Sequence, residues 1–74
     1  MAKQLDLTAM KIILNGTASE TTATNVLALL AELGLAEKPV IVEHNQVALL
    51  KTEHASTPIA ENDQLEVITL AAGG

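Results

Sequence analysis

The chain has 74 residues and contains no cysteine, arginine or aromatic residue, so one domain with a core of aliphatic side chains is expected. The lack of cysteine excludes disulfides, thiolate metal sites and a cysteine nucleophile, and we predict no metal site and no bound cofactor. A formal charge of -5 and the lack of aromatic residues argue against nucleic-acid binding. Because there is neither a long apolar run nor a signal-like start, we predict a cytoplasmic protein that does not bind membranes.

The N-terminal third of the chain predicts an extension followed by a hairpin. Residues 1–9 are mixed and polar, and we assign them to an N-terminal extension. Residues 10–14 form a short apolar run that predicts a strand, and Asn15-Gly16 after it is the dipeptide most favoured in a tight hairpin turn. Residues 17–22 are rich in threonine and predict a short returning strand.

A single helix is predicted next. Its apolar residues follow the spacing i, i+3, i+4 and i+7, which is one stripe of an α-helix; they are Val26, Leu29, Leu30 and Leu33. Thr24 is the predicted N-cap, and Gly34 is predicted to end the helix in the left-handed conformation.

The C-terminal half predicts a second hairpin, a polar connection and a last strand. Residues 40–43 and 47–50 are apolar segments separated by residues 44–46, a spacing typical of a hairpin. Residues 51–58 are predicted to form a polar connection that is long enough for one helical turn. A turn at residues 61–63 leads into the last strand, residues 65–70, which is followed only by Ala71, Ala72, Gly73 and Gly74.

This order of elements predicts an α+β fold of two layers. A helical crossover joins strands in parallel, whereas hairpins pair strands antiparallel, so the first and last strands become the central ones. The result is a mixed sheet of four to five strands with one main helix packed on one face, which is the β-grasp, or ubiquitin-like, fold. We expect residues 10–70 to form this domain and residues 71–74 to form a tail.

Four segments of the chain resemble the sulfur carrier proteins of thiamine biosynthesis, the ThiS family. They are MKIILNG, TNVLALLAELGL, VIVEHNQVALLKTEHAST and ENDQLEVITLAAGG, and together they extend over residues 10 to 74. The most specific features are the DQLEV strand and the Gly-Gly end directly beyond it. One departure is Gln46, where family members often carry glycine in the second hairpin.

The resemblance implies a role for the tail. Gly74 would be adenylated with ATP by an activating (ThiF-like) enzyme, attacked by the persulfide sulfur of a sulfur donor protein, and converted to a C-terminal thiocarboxylate that serves thiazole synthase. Gly73, Ala72 and Ala71 would form the rest of the tail, whose small side chains suit a narrow channel. The chain would then be a cosubstrate and not an enzyme, with ATP used only by its partner.

A partner surface is predicted on the sheet face away from the helix. Strand alternation places Ile13, Ile41, Ile68 and Leu70 on that face, and contiguous exposed apolar residues commonly mark an interface. Acidic residues nearby would steer a basic partner; they are Glu43, Glu61, Asp63 and Glu66. The alternatives are that residues 1–9 fold back over the face, or that a second copy covers it.

Three other functions share the predicted fold. The small subunit of molybdopterin synthase is also a sulfur carrier with a Gly-Gly end, a ubiquitin-like modifier would be conjugated through Gly74 to lysine, and a noncovalent adaptor would not need its tail. The two histidines, His44 and His54, are read as turn and loop residues and not as metal ligands.

Overall fold

The computed structural model describes residues 9–70, which form one mixed sheet with a helix packed on one face. The five strands are β1 (Met10–Leu14), β2 (Thr17–Thr21), β3 (Val40–His44), β4 (Val47–Ala48) and β5 (Gln64–Thr69). The helix α1 covers Val26–Glu32, and a short 3-10 helix covers Lys51–Ser56. This architecture is the predicted β-grasp fold.

The strand order β2-β1-β5-β3-β4 places the last strand in the middle of the sheet. β1 and β5 are parallel, whereas the β1–β2, β3–β5 and β3–β4 pairs are antiparallel. The predicted central position of the first and last strands is therefore confirmed. The helical crossover joins β2 to β3, which run in the same direction, and β5 is antiparallel to β3 and therefore parallel to β1.

The core lies between the sheet and α1 and consists of aliphatic side chains. Its fully buried residues come from three strands and the helix; the largest are Ile12, Leu30, Leu65, Val26 and Val42. Strand residues alternate between this core and the opposite, outer face of the sheet, as a period of two requires.

The N-cap of α1 and the exposure of Leu33 differ from the prediction, whereas Gly34 ends the helix as predicted. Asn25, and not Thr24, is the N-cap: its side-chain oxygen accepts a hydrogen bond of 2.7 Å from the backbone N–H of Ala28. Asn25 also pairs with Pro58 in an isolated β-bridge, so tertiary structure selects between two suitable capping residues. Leu33 is the C-cap and is 40% exposed, so it does not complete the buried stripe. Gly34 follows with φ +75°, the left-handed conformation predicted for it.

The two hairpins use the same kind of turn. Asn15 and Gly16 have φ of 51° and 81°, and Asn45 and Gln46 have φ of 51° and 73°. A two-residue turn with positive φ at both positions matches the twist of the flanking strands. The second turn is shorter than predicted, because His44 belongs to β3 and not to the connection.

Candidate functional site

The residues predicted to carry the chemistry, Ala71, Ala72, Gly73 and Gly74, lie outside the described residues. What the structure does describe is the strand that leads to them. β5 is hydrogen-bonded to β1 on one edge and to β3 on the other, and its pairing with β3 extends from Leu65 to Thr69. The position of the last residue before the tail is therefore fixed by the centre of the sheet.

Two further hydrogen bonds hold β5 near its C-terminal end. The backbone N–H of Leu70 donates to the carbonyl oxygen of Pro39 at 2.9 Å. On the other edge, where β1 has ended, the side-chain oxygen of Asn15 accepts from the backbone N–H of Val67 at 2.7 Å. The turn asparagine therefore continues the support of β5 beyond the end of its neighbouring strand.

The outer face of the sheet brings together two of the predicted partner residues. Ile41 and Ile68 are directly opposite each other on β3 and β5, and they are 43% and 48% exposed. Such a pair has Cβ atoms only about 4.5–5.5 Å apart. Both residues lie close to the point where the tail begins.

Ile13 lies on the same face but away from this pair. It is opposite Gln64, four residues before Ile68 on β5, which corresponds to about 13 Å along the strand. Glu66 and its cross-strand partner Glu43 lie between them. The alternation that placed Ile13 on the outer face was right, but the strand register keeps it apart from Ile41 and Ile68.

The four acidic residues predicted to steer a partner have different surroundings. Glu43 and Glu66 are directly opposite each other on the outer face, an arrangement that is destabilising for like charges. Glu61 accepts a hydrogen bond of 3.1 Å from the backbone N–H of Lys11, and Asp63 is used inside the fold. Of these four residues, Glu43 and Glu66 are therefore the pair that lies on the outer face between Ile13 and Ile68.

Asp63 joins the start of β5 to the second hairpin. Its Oδ2 lies 2.7 Å from Nε2 of His44 and accepts from the backbone N–H of Ala60 at 2.9 Å. Its Oδ1 accepts from the side-chain amide of Asn45 at 3.1 Å. Partial burial raises the pKa of Asp63, but the hydrogen bonds from Ala60, His44 and Asn45 outweigh it, and the pKa lies below its usual range. The ionised carboxylate is therefore the form that the fold stabilises.

A cleft of about 480 Å³ opens on the helix side of the sheet, where β5 ends. Leu70, predicted to lie with the outer-face isoleucines, lines this cleft together with Leu27 and Leu30 of α1. The strand ends at Thr69, so the alternation used for the prediction need not extend to Leu70. Leu70 therefore takes part in a different surface from Ile41 and Ile68.

His54 also lines the cleft and is buried, although it was predicted to be a loop residue. Burial is the main cause that lowers its pKa, the nearby Lys51 lowers it further, and Glu53 acts in the opposite direction. The imidazole is consequently neutral at neutral pH. The 3-10 helix that carries His54 contacts α1, and no local pattern in the sequence indicates this packing.

Within residues 9–70, no group of three or more histidine and acidic side chains is arranged to hold a metal ion. The same part of the chain contains no helix that is long and apolar enough to cross a membrane.

Comparison with known proteins identifies the family. The model of the ThiS family matches residues 12–74, a range that includes the Gly-Gly end. A crystal structure of a thiamine biosynthesis protein (ThiS) from Geobacter metallireducens is 29% identical with a TM-score of 0.74, covering 88% of this chain and 100% of that one. A solution structure of a thiamine biosynthesis protein from the same organism is also 29% identical with a TM-score of 0.73, covering 88% of each chain.

A curated relative is longer. The thiazole synthase of Paramagnetospirillum magneticum is 35% identical over 66 residues, which cover 88% of this chain but only 20% of that protein. The chain thus spans about a fifth of the length of this relative. The family match and the two structures lead to one assignment: the chain belongs to the ThiS family of small sulfur carrier proteins of thiamine biosynthesis.

Proposed function

We propose that this chain carries sulfur on the main-chain carboxyl group of Gly74 for the formation of thiazole. The observation that supports the proposal most strongly is the family match, which runs to residue 74 and so includes both terminal glycines. The anchoring of β5 up to Leu70 adds physical support, because a tail can be delivered to a partner's active site only if its root is held rigidly.

The chemistry begins with activation of a poor acyl donor. The Gly74 carboxylate attacks the α-phosphate of ATP in an adenylating (ThiF-like) enzyme, which gives an acyl-adenylate and pyrophosphate. The terminal sulfur of a persulfide on a sulfur donor protein then attacks the acyl carbon, and AMP leaves. A thiol reductant cleaves the resulting acyl disulfide, and the C-terminal thiocarboxylate remains. All catalytic groups belong to the partners, so the carrier itself needs no cofactor, and ATP is bound only by the activating enzyme.

Thiazole synthase is the proposed acceptor of the sulfur. One thiazole synthase contains a region that is 35% identical to this chain, which favours a close functional association between the two kinds of protein. Because ATP and reducing thiols are both available in the cytoplasm, that compartment is part of the proposal.

The outer face of the sheet is the proposed docking surface. Ile41 and Ile68 supply an apolar contact beside the root of the tail, and Glu43 and Glu66 place two negative charges next to it. Like charges opposite each other cost stability, so their presence favours a role in attracting a basic partner. Ile13 would contact only the far margin of such an interface.

The tail chemistry is tested by intact-mass analysis. The chain is incubated with ATP, a persulfide donor, a thiol reductant and an adenylating enzyme whose activity has been verified on another carrier. We expect the mass increase that corresponds to replacement of one oxygen by sulfur. The matched control is the same chain with one alanine added after Gly74, which should remain unmodified. An unmodified wild-type chain would refute the proposal, whereas a lysine adduct of Gly74 would instead indicate a protein modifier.

The docking surface is tested separately with two aspartate substitutions. Ile68→Asp places a charge in the proposed interface, whereas Val47→Asp changes a residue that is 61% exposed at the sheet edge. Burying an unpaired carboxylate is costly, so Ile68→Asp should weaken binding to the adenylating enzyme about tenfold or more, and Val47→Asp should leave it nearly unchanged. Equal effects of the two substitutions would exclude this surface.

A further inference from the structure

The edge of β5 that faces β1 is only partly paired. The ladder between these two strands ends at Leu14 and Leu65, whereas the ladder between β5 and β3 continues to Thr69. Asn15 adds two hydrogen bonds on the β1 side: its backbone N–H donates to the carbonyl oxygen of Leu65 at 2.8 Å, and its side-chain oxygen accepts from the N–H of Val67 at 2.7 Å. The chain then turns into β2, and β5 continues to Thr69 without β1 beside it.

The alternation of backbone groups along β5 shows what is left unpaired. In a strand, the N–H and C=O of one residue point to the same edge, and those of the next residue point to the opposite edge. Val67 donates toward β1, and Leu70 donates to Pro39 on the β3 side, so Thr69 points to the β1 side as Val67 does. The carbonyl oxygen of Val67 and both backbone groups of Thr69 therefore face this edge, and none of the three has a hydrogen-bond partner among residues 9–70.

This stretch of edge is suited to pairing with another chain. Unpaired N–H and C=O groups in a row form a template for a further strand, and protein edges are commonly protected from this by proline, lysine or a bulge. Ile68 and Thr69 are instead β-branched residues that favour strands, and both are exposed. Ile68 also belongs to the proposed docking surface, so a partner on the outer face comes close to the edge.

We propose that the free edge of β5, residues 67–69, is where an extended segment of the adenylating enzyme adds a strand to the sheet. The three unpaired groups are an acceptor, a donor and an acceptor in order, and the backbone of an extended chain offers the complementary series. The added segment lies in line with β1, beyond its turn and about 4.8 Å from β5. The site rests on the proposed activation of the tail, because this edge directly precedes the tail that the enzyme must receive.

The first test is amide hydrogen exchange, followed by nuclear magnetic resonance of the labelled full chain alone and saturated with the adenylating enzyme. In the isolated chain, the amide of Thr69 should exchange faster than that of Leu70, because only the Leu70 N–H donates within the fold. Binding of the enzyme should slow the exchange of Thr69, which gains a partner. Leu70 should be protected in both states.

The second test removes the donor of Thr69. Thr69→Pro deletes an N–H that makes no bond to β3, so the ladder between these strands is retained. Loss of one hydrogen bond to the enzyme should weaken binding about twofold to tenfold. The matched control is Thr69→Ala, which removes the side chain but keeps the N–H and should bind as the wild type does.

A second control places proline on a different free edge. Ala18 of β2 is opposite Ile13, whose N–H donates toward β5, so the N–H of Ala18 points away from the sheet. Ala18→Pro therefore also removes an unpaired donor, and it should leave binding unchanged. Urea unfolding of each variant verifies that the domain is intact.

The proposal is overturned if Thr69 exchanges equally fast in the free and bound chain, or if Thr69→Pro and Thr69→Ala bind alike. An equal effect of Ala18→Pro would also overturn it, as would protection of Thr69 that grows with the concentration of the isolated chain and so indicates a second copy. Each of these results leaves sulfur transfer to Gly74 in the mass assay intact. Absence of both binding and the mass increase would instead refute the proposed function itself.

Discussion

Replacement of Asp63 by asparagine tests how the start of β5 is held. The carboxylate accepts from Ala60 and Asn45 and lies 2.7 Å from His44, whereas an asparagine side chain retains only one acceptor oxygen. At least one hydrogen bond to a charged group is lost, at a cost of about 1.5–3 kcal/mol. A domain of 74 residues has a total stability of roughly 4–11 kcal/mol, so the loss is a large fraction of it.

Urea unfolding followed by far-ultraviolet circular dichroism measures this loss, since the chain contains no aromatic residue for fluorescence. With a slope of about 1 kcal/mol per molar urea, the midpoint should fall by roughly 1.5–3 M. The lowered pKa of Asp63 means that its contribution is present above about pH 3.9 and is lost as the pH falls through the folded-state pKa. The difference between Asp63→Asn and wild type should therefore shrink in acid. An unchanged midpoint at pH 7, or an equal difference at pH 7 and pH 2, would refute the reasoning.

Three further substitutions test the surface and the turns. Glu66→Gln removes the repulsion with Glu43 and should stabilise the fold by about 0.2–1 kcal/mol while slowing association with a basic partner; a faster association would contradict the steering role. Gln46→Gly relieves the positive φ of 73°, which stabilises the fold by about 1 kcal/mol, but glycine loses more conformational entropy on folding. The urea midpoint should therefore rise by an amount equivalent to less than about 1 kcal/mol. Gly34→Ala should lower the free energy of unfolding by about 1 kcal/mol. The cause is the φ of +75° alone, because a Cβ at this position meets no atom within 4 Å. An unchanged stability would show that the end of the helix adjusts its backbone.

The sequence predicted those parts of the fold that depend on local chemistry. Asn15-Gly16 forms the turn that its preference for positive φ indicates, and Gly34 ends the helix for the same reason. Gln46 shows the limit of this reasoning, since glutamine adopts a φ of 73° although it has no intrinsic preference for it. Here the pairing of β3 with β4 imposes the turn.

Features that depend on register or on distant contacts could not be predicted in the same way. Alternation assigned Ile13 and Ile68 to the correct face, but only the pairing of β1 with β5 shows how far apart they are. Thr24 and Asn25 are equally suitable caps until the bridge to Pro58 is known. The burial of His54 likewise follows from packing between elements that are separated in the sequence.

Two distinct surfaces meet near Leu70. The proposed docking residues Ile41 and Ile68 lie on the outer side of the sheet, whereas Lys38 and Lys51 line the cleft on the helix side. A partner that docks on the outer face as proposed would leave the cleft uncovered. β5 need not move for the residues beyond it to enter a partner's active site, because its hydrogen bonds on both edges end by Leu70. Activation of the carrier is therefore expected to require no unfolding of its domain.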